Sequence, residues 1–274
     1  MILPKYNLET RKLAPIMSDP LLQIDHLGVR FGGLLALEAF NLAVPEGGLY
    51  GLIGPNGAGK TTVFNLVSGF LTPTSGAVAF GGRQVTGLAP HAVTGLGIAR
   101  TFQNIRLFDD LTVINNVLVG FHCRRQASWW EAMLHLPRYR REERRHRHQA
   151  LALLEEVGLK DEARERAGDL PYGHQRRLEI ARALATGPRL LLLDEPAAGL
   201  NPQETGELID FLQEIRARHG LTLLLIEHNL RLVMGLCHHL TVLDHGLTIA
   251  QGPPAQVRQD PAVIRAYLGN GGKR

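Results

Sequence analysis

Three short, largely apolar runs punctuate the chain: Leu49 to Ile53, the continuous Leu190 to Leu193, and Leu221 to Ile226. Runs of this length read as strands, and the second and third as parallel strands buried on both faces. Upstream, Leu22, Ile24 and Leu27 alternate, which predicts a strand from Leu21. Phe31-Gly32-Gly33 reads as a turn, with a second strand from Leu34 to Val44. The turn Thr72 to Gly76 precedes a short strand from Ala77 to Phe80. Helical spacing marks Thr61 to Ser68, residues 88–99 and residues 148–159, where Leu151, Leu154 and Val157 recur before Gly158. A further helix opens at Leu170 to Gln175 and runs to Ala185, with Gly187-Pro188 beyond it. Asn201, Pro202 and Glu204 form a capping-box start for a helix that buries Leu208, Phe211, Leu212 and Ile215 and stops at Gly220. Residues 240–250 suggest a hairpin, and Asp260-Pro261 opens a last helix to Leu268. Strands alternating with helices predict an α/β fold.

Residues 1–18 are polar and irregular and read as a loose, flexible tail, with Met17 a possible true start. The expected globular unit is residues 20–269, followed by a short tail at 270–274. Residues 104 to about 172 differ in character and read as a helical insert. They hold both tryptophans, Trp129 and Trp130, and the basic run Arg138 to His148. That run reads first as a solvated helix face, with Glu142 and Glu143 pairing with Arg145 or Arg147. A face for membrane headgroups or a partner's acidic loop is the second reading. Nucleic acid is disfavoured, since only Tyr139 interleaves as a stacking aromatic.

A net charge of +4 permits anionic partners without requiring them. Cys123 and Cys237 stand far apart and read as small buried hydrophobes in a reducing compartment. No apolar run approaches the length that spans a bilayer, and no basic-then-apolar leader opens the chain. A membrane role is therefore expected to come through another chain.

Chemistry concentrates after the first apolar run. Gly54-Pro55-Asn56-Gly57-Ala58-Gly59-Lys60-Thr61 reads G-x-x-x-x-G-K-[ST] between a strand and a helix. The glycines turn backbone N–H groups onto phosphate oxygens, and the helix N-terminus adds its dipole. Lys60 is expected to reach the β- and γ-phosphates, and the Thr61 hydroxyl to ligate Mg²⁺. The run Leu190 to Leu193 ends in Asp194-Glu195, where open α/β sheets bind ligands. Two carboxylates there are costly without a cation or proton partner. Asp194 is expected to hold Mg²⁺, directly or through water, and Glu195 to take a proton from attacking water. His228 ends the third run and suits the γ-phosphate and the general base, though a lone histidine is more often structural. Gln103 can coordinate an ion or orient water through its amide, and Phe31 can stack on a purine. Alone, a glutamine is more often a surface residue, and a phenylalanine beside glycines is more often core.

Taken in order, Phe31, Gly54 to Thr62, Gln103, Leu170 to Gln175, Asp194-Glu195 and His228 resemble the ATP-binding subunit of ABC transporters. Within that superfamily the chain looks like the branched-chain amino-acid importer subunit. FGGLLAL, ARTFQNIRLFDDLTV, the insert, GHQRRLEIARAL, DEPAAGLNPQET, LLLIEHNLRLVMG and the ending IRAYLG carry that likeness. The resemblance implies a P-loop NTPase (RecA-like) core, an N-terminal antiparallel β subdomain and an inserted helical subdomain. It implies two such subunits head to tail, with ATP between one phosphate loop and the other's signature segment.

By resemblance, Phe31 stacks on adenine, Thr62 helps hold the phosphates, and Gln103 senses Mg²⁺ and couples to the membrane subunit. Tyr172, Gly173, His174 and Gln175 lie in the signature, and His228 is the switch histidine. Implied partners are transmembrane permease subunits, a second ATP-binding subunit (a heterodimer favoured, a homodimer open) and, indirectly, a substrate-binding protein. The implied location is peripheral, at the cytoplasmic face of the inner membrane. The cargo stays open, because urea, amide and lipopolysaccharide systems use similar subunits. Three positions depart from the family pattern. Pro171 replaces Ser and Tyr172 replaces Gly in the signature, and Asn201 replaces the usual Asp.

Overall fold

The computed structural model describes residues 19–268 apart from 126 and 135. The tails expected at 1–18 and 270–274 lie outside the described residues. The chain opens with a hairpin, β1 (Leu22–Phe31) and β2 (Leu34–Val44), in antiparallel register with Phe31 opposite Leu34. Next come β3 (Leu49–Ile53), α1 (Lys60–Val67), β4 (Ser75–Phe80) and β5 (Arg83–Gln84). β2, β1, β4 and β5 form one four-stranded sheet in that order. Its three pairings are all antiparallel.

Helix α2 (Pro90–Gly95) is followed by a strand, β6 (Ile98–Arg100). The single helix expected over 88–99 is thus corrected. Gly97 sits at φ +105, which breaks the helix, and Ile98 to Arg100 pair in parallel with Leu190 to Leu192. The insert follows as α3 (Val113–Gly120), a 3₁₀ turn (Phe121–Arg124), α4 (Trp129–Met133) and α5 (Pro137–Glu156). The periodicity read at 148–159 belongs to this one 20-residue helix. The basic run lies on α5, whose inner face buries Glu142, His146, Ala150, Leu153 and Leu154. Solvation is therefore confined to the other faces, and Glu142 pairs with Arg145 at 3.7 Å.

The chain then returns through α6 (Tyr172–Ala185), β7 (Leu190–Asp194), α7 (Pro202–His219), β8 (Thr222–Ile226), α8 (Leu230–Leu236), β9 (His239–Asp244) and β10 (Leu247–Gly252). Two short helices close it, α9 (Pro254–Val257) and α10 (Pro261–Leu268). The second sheet runs β10-β9-β3-β8-β7-β6, parallel except for the β9–β10 hairpin.

Side-chain alternation in this sheet divides the core in two. Leu190, Leu192, Leu224 and Ile226 face α1 and the antiparallel sheet, where Phe40, Phe64 and Leu22 pack. Leu191, Leu193, Leu223 and Leu225 face α6, α7 and the insert, where Leu178, Leu212 and Val117 pack. Every residue of β7 and β8 is buried, which explains why each is apolar apart from one terminal residue, Asp194 and Thr222. The carboxyl ends of β3, β7 and β8 come out side by side, with Asp194 opposite Ile226. They carry the phosphate loop, the acidic pair and His228 to one edge.

Candidate functional site

Backbone requirements shape the phosphate loop first. Gly54 adopts φ +148, and a Cβ there would stand 2.0 Å from the Leu243 carbonyl. Gly59, the N-cap of α1, adopts φ +103, with Ala36's carbonyl 3.0 Å from where a Cβ would sit. Only glycine satisfies both positions without displacing neighbouring backbone. α1 therefore starts at Lys60, inside the loop rather than after it. The buried Lys60 ammonium donates to the carbonyls of Gly54 at 2.8 Å and Pro55 at 2.9 Å. Burial lowers its pKa, and Glu195 and Asp194 oppose that shift.

A cleft of about 560 Å³ lies over this loop. Asn56 to Thr62, Gln103 and Glu195 line it. So do Leu34, Leu35 and Ala36 of β2 and His245 of the β9–β10 turn, none of which the sequence reading assigned to the site. Phe31 does not line the cleft. It is exposed at the hairpin tip, opposite Leu34, which does.

Three residues chosen on separate sequence grounds meet at one carboxylate. Glu195 Oε2 accepts from Gln103 Nε2 at 2.8 Å and stands 3.7 Å from His228 Nδ1. Glu195 itself holds φ +48, a left-handed conformation rare for a side-chain-bearing residue and common at functional sites. Its backbone N–H donates to Ile226, fixing the turn to the end of β8.

Asp194 has a partner that the sequence did not reveal. Arg100, at the end of β6, donates from Nη2 to Asp194 Oδ2 at 2.8 Å, with both side chains buried. Its Nη1 donates to Asn65 at 2.7 Å and Ser68 at 3.1 Å on α1. The guanidinium lies 5.0 Å from the Phe102 ring centroid and 5.5 Å from that of Phe64. One side chain thus ties the phosphate-loop helix, the acidic strand end and the segment leading to Gln103. Burial lowers the Arg100 pKa and Asp194 opposes that shift.

Two further buried groups position the machinery. Glu227 accepts from the backbone N–H of Ala197 at 2.8 Å and from those of His228 and Asn229 at 3.0 Å each. It pins the turns after β7 and β8 to each other. Arg176 donates to the carbonyls of Phe102 at 2.8 Å and Gln103 at 3.0 Å and pairs with Glu179 at 2.9 Å. Glu179 in turn accepts from the Phe102 N–H at 3.1 Å. Helix α6, which begins in the signature segment, is therefore clamped onto the Gln103 loop. The contacts that give these three residues their task, to Ala197, Phe102 and Gln103, lie 30 to 77 residues away along the chain, so no local signal marks them.

The signature residues stand apart from the phosphate cleft. Gly173 and His174 line a separate cleft of about 330 Å³ with Pro171, Glu204 and Leu208. The Tyr172 hydroxyl accepts from Arg176, and Gln175 donates to the Leu170 carbonyl at 3.0 Å. At Asn201, the side chain accepts from the Gln203 and Glu204 N–H groups, and the Glu204 carboxylate accepts from the Asn201 N–H. The substituted residue serves its own helix as the expected cap.

Comparison with known proteins matches this geometry. The family described as ABC transporter matches residues 37–198, from β2 to past the acidic pair. The chain belongs to the ABC transporter family. It is an ATP-binding cassette, with an α/β P-loop core and an antiparallel β subdomain, and it is an ATPase of that family. A second family, described as branched-chain amino acid ATP-binding cassette transporter, matches residues 248–273. The cassette is 47% identical to the high-affinity branched-chain amino acid transport ATP-binding protein BraF of Pseudomonas aeruginosa, over 92% of this chain and 99% of that one. It is equally similar to LivG of Escherichia coli, at 47% with the same coverage. Among solved structures it is similar to the ADP conformation of MJ1267, an ATP-binding cassette of an ABC transporter. That match has a TM-score of 0.80 and 32% identity, and covers 92% of this chain and 100% of the other. Among the described residues of this cassette, no helix is long and apolar enough to cross a membrane. ABC cassettes of this kind work with transmembrane permease subunits.

Proposed function

We propose that this cassette hydrolyses ATP to drive uptake of branched-chain amino acids through partner permease subunits. The observation that carries the chemistry is the convergence of Gln103 and His228 on Glu195, in the cleft that holds Lys60. The match of residues 248–273 and the two 47% relatives carry the cargo.

In this reading Lys60 leaves its two loop carbonyls for the β- and γ-phosphates, and the loop's N–H groups and Thr62 hold the rest. Thr61, Asp194 and Gln103 present hydroxyl, carboxylate and amide oxygens, the hard donor set that suits Mg²⁺. When bound, that ion supplies charge neutralisation at the phosphates. Glu195 takes the proton of attacking water, Gln103 orients that water, and His228 hydrogen-bonds the γ-phosphate and steadies Glu195. Phe31 stacks on adenine from the hairpin tip. Tyr172, Gly173, His174 and Gln175 serve the nucleotide of a second cassette, consistent with the separate cleft that Gly173 and His174 line.

That second cassette is a related chain in a heterodimer, and a substrate-binding protein acts indirectly through the permeases. The assembly sits peripherally on the cytoplasmic face of the inner membrane. The globular unit runs from residue 20 to 269, with the helical insert at about 104–172. Coupling follows from ATP preferring the closed pair of cassettes. Uptake of radiolabelled leucine in cells lacking this chain tests the cargo. Restoration by the wild-type chain and failure of Glu195→Gln are expected. Full uptake without the chain, or restoration only of urea or amide uptake, would overturn the assignment.

A further inference from the structure

Helix α4 is inside out. Its one acidic residue, Glu131, is buried, accepts from the Ser128 N–H at 2.7 Å and lies 3.6 Å from Arg138. Its apolar residues face solvent instead. Trp129 is 78% exposed, Met133 70%, Leu134 61% and Trp130 48%. Positions 129 and 133, and 130 and 134, each lie one turn apart, so the four form a single outward patch. Glu131 closes a capping box with Ser128, and that box holds the short helix in this orientation. An apolar patch held outward by a buried, capped carboxylate is built for contact.

The surroundings specify the contact. α5 follows after a short connection and carries six arginines, at 138, 140, 141, 144, 145 and 147. All six are exposed, whereas Glu142 on the same helix is buried. Tryptophan and leucine beside a dense arginine cluster match the interface of an anionic bilayer. Indole rings sit at headgroup depth, and guanidinium groups pair with lipid phosphates. We infer that α4 and the first turns of α5 form a docking surface for anionic phospholipid headgroups. Trp129, Trp130, Met133 and Leu134 would insert, and Arg140, Arg141 and Arg144 would hold the phosphates. This contact neither requires nor excludes the cargo assigned above, so failure of either leaves the other standing.

The chain carries only two tryptophans, and both lie on this patch, so intrinsic fluorescence reports it directly. Purified full-length protein is titrated with phosphatidylglycerol-containing vesicles and with phosphatidylcholine vesicles. Blue-shifted emission, quenching by brominated acyl chains and co-sedimentation are expected with the anionic vesicles only, weakening as salt rises. Arg140→Gln with Arg141→Gln should weaken binding roughly fivefold per arginine. Trp129→Ser with Met133→Ser should abolish co-sedimentation while ATP hydrolysis persists. Wild-type emission unmoved by anionic vesicles would overturn the inference without recourse to any variant. So would a shift seen only with detergent-purified permease, which would assign the patch to a protein partner. A concentration-dependent shift without lipid would assign it to self-association and equally overturn it.

Discussion

Replacing Arg100 by methionine isolates the charge that holds Asp194. Methionine keeps much of the packing against Phe64 and Phe102 but removes donors to Asp194 at 2.8 Å, Asn65 at 2.7 Å and Ser68 at 3.1 Å. The larger effect is on the residue left behind, because Asp194 is buried and Arg100 is its ion-pair partner. Removing one member of a buried pair costs about 3–5 kcal/mol, most of it from the uncompensated charge. Arg100 already leaves Nε without a partner, so its own desolvation is incompletely repaid. That argues for the lower end, about 3 kcal/mol, or roughly 6–12 °C of melting temperature for a chain of this size. Urea unfolding of Arg100→Met, Asp194→Asn and the double variant forms the assay. The double variant should lose about 2 kcal/mol less than the sum of the singles, because the second change removes the stranded charge. A loss below about 1 kcal/mol in Arg100→Met, or additive singles, would refute the assignment of Arg100 as the anchor of Asp194.

Two other consequences are measurable. Asn201→Ala removes the acceptor for the Gln203 and Glu204 N–H groups and should cost about 1 kcal/mol in urea unfolding, with Asn201→Asp near neutral. Burial lowers the pKa of His146, opposed by Glu142, and also lowers those of His238 and His239. Below the ordinary histidine value of 6.5 the unfolded chain therefore binds protons that the folded chain resists. The histidine contribution to stability should be flat just above that value and fall as pH drops through it, by at most about 1.4 kcal/mol per pH unit for each histidine. His146 stacks on Phe121 with ring centroids 4.9 Å apart, so His146→Phe should remove one histidine's share of that slope. An unchanged slope would exclude His146 from it.

What the sequence made legible was local. The phosphate loop announces itself because one contiguous stretch must turn, donate N–H groups and start a helix. β7 and β8 announce themselves because both faces are covered, leaving polar residues only at one end of each, Asp194 and Thr222. The antiparallel hairpin and the capped start of α7 follow from alternation and from Asn201-Pro202. Strand β6 was hidden inside an expected helix, since three residues are too few for a period and its partner, β7, lies about ninety positions later. Arg100 was hidden for the same reason, its bond to Asp194 spanning 94 residues. Arg176 and Glu179 sit at ordinary helical spacing, and only their reach to Phe102 and Gln103, more than 70 residues away, gives them a task. The outward face of α4 was likewise invisible, because a five-residue helix carries too little pattern to say which side is buried.

In the proposed reaction Glu195 deprotonates the water that attacks the terminal phosphate gripped by Lys60. Purified Glu195→Gln protein, compared with wild type for ATP affinity and for phosphate release, tests it most directly. Glutamine preserves the size of the side chain and the hydrogen bond to Gln103 but cannot take a proton. ATP affinity should stay near wild type and hydrolysis should fall by roughly 10² to 10⁴-fold. Undiminished phosphate release by that variant would contradict it.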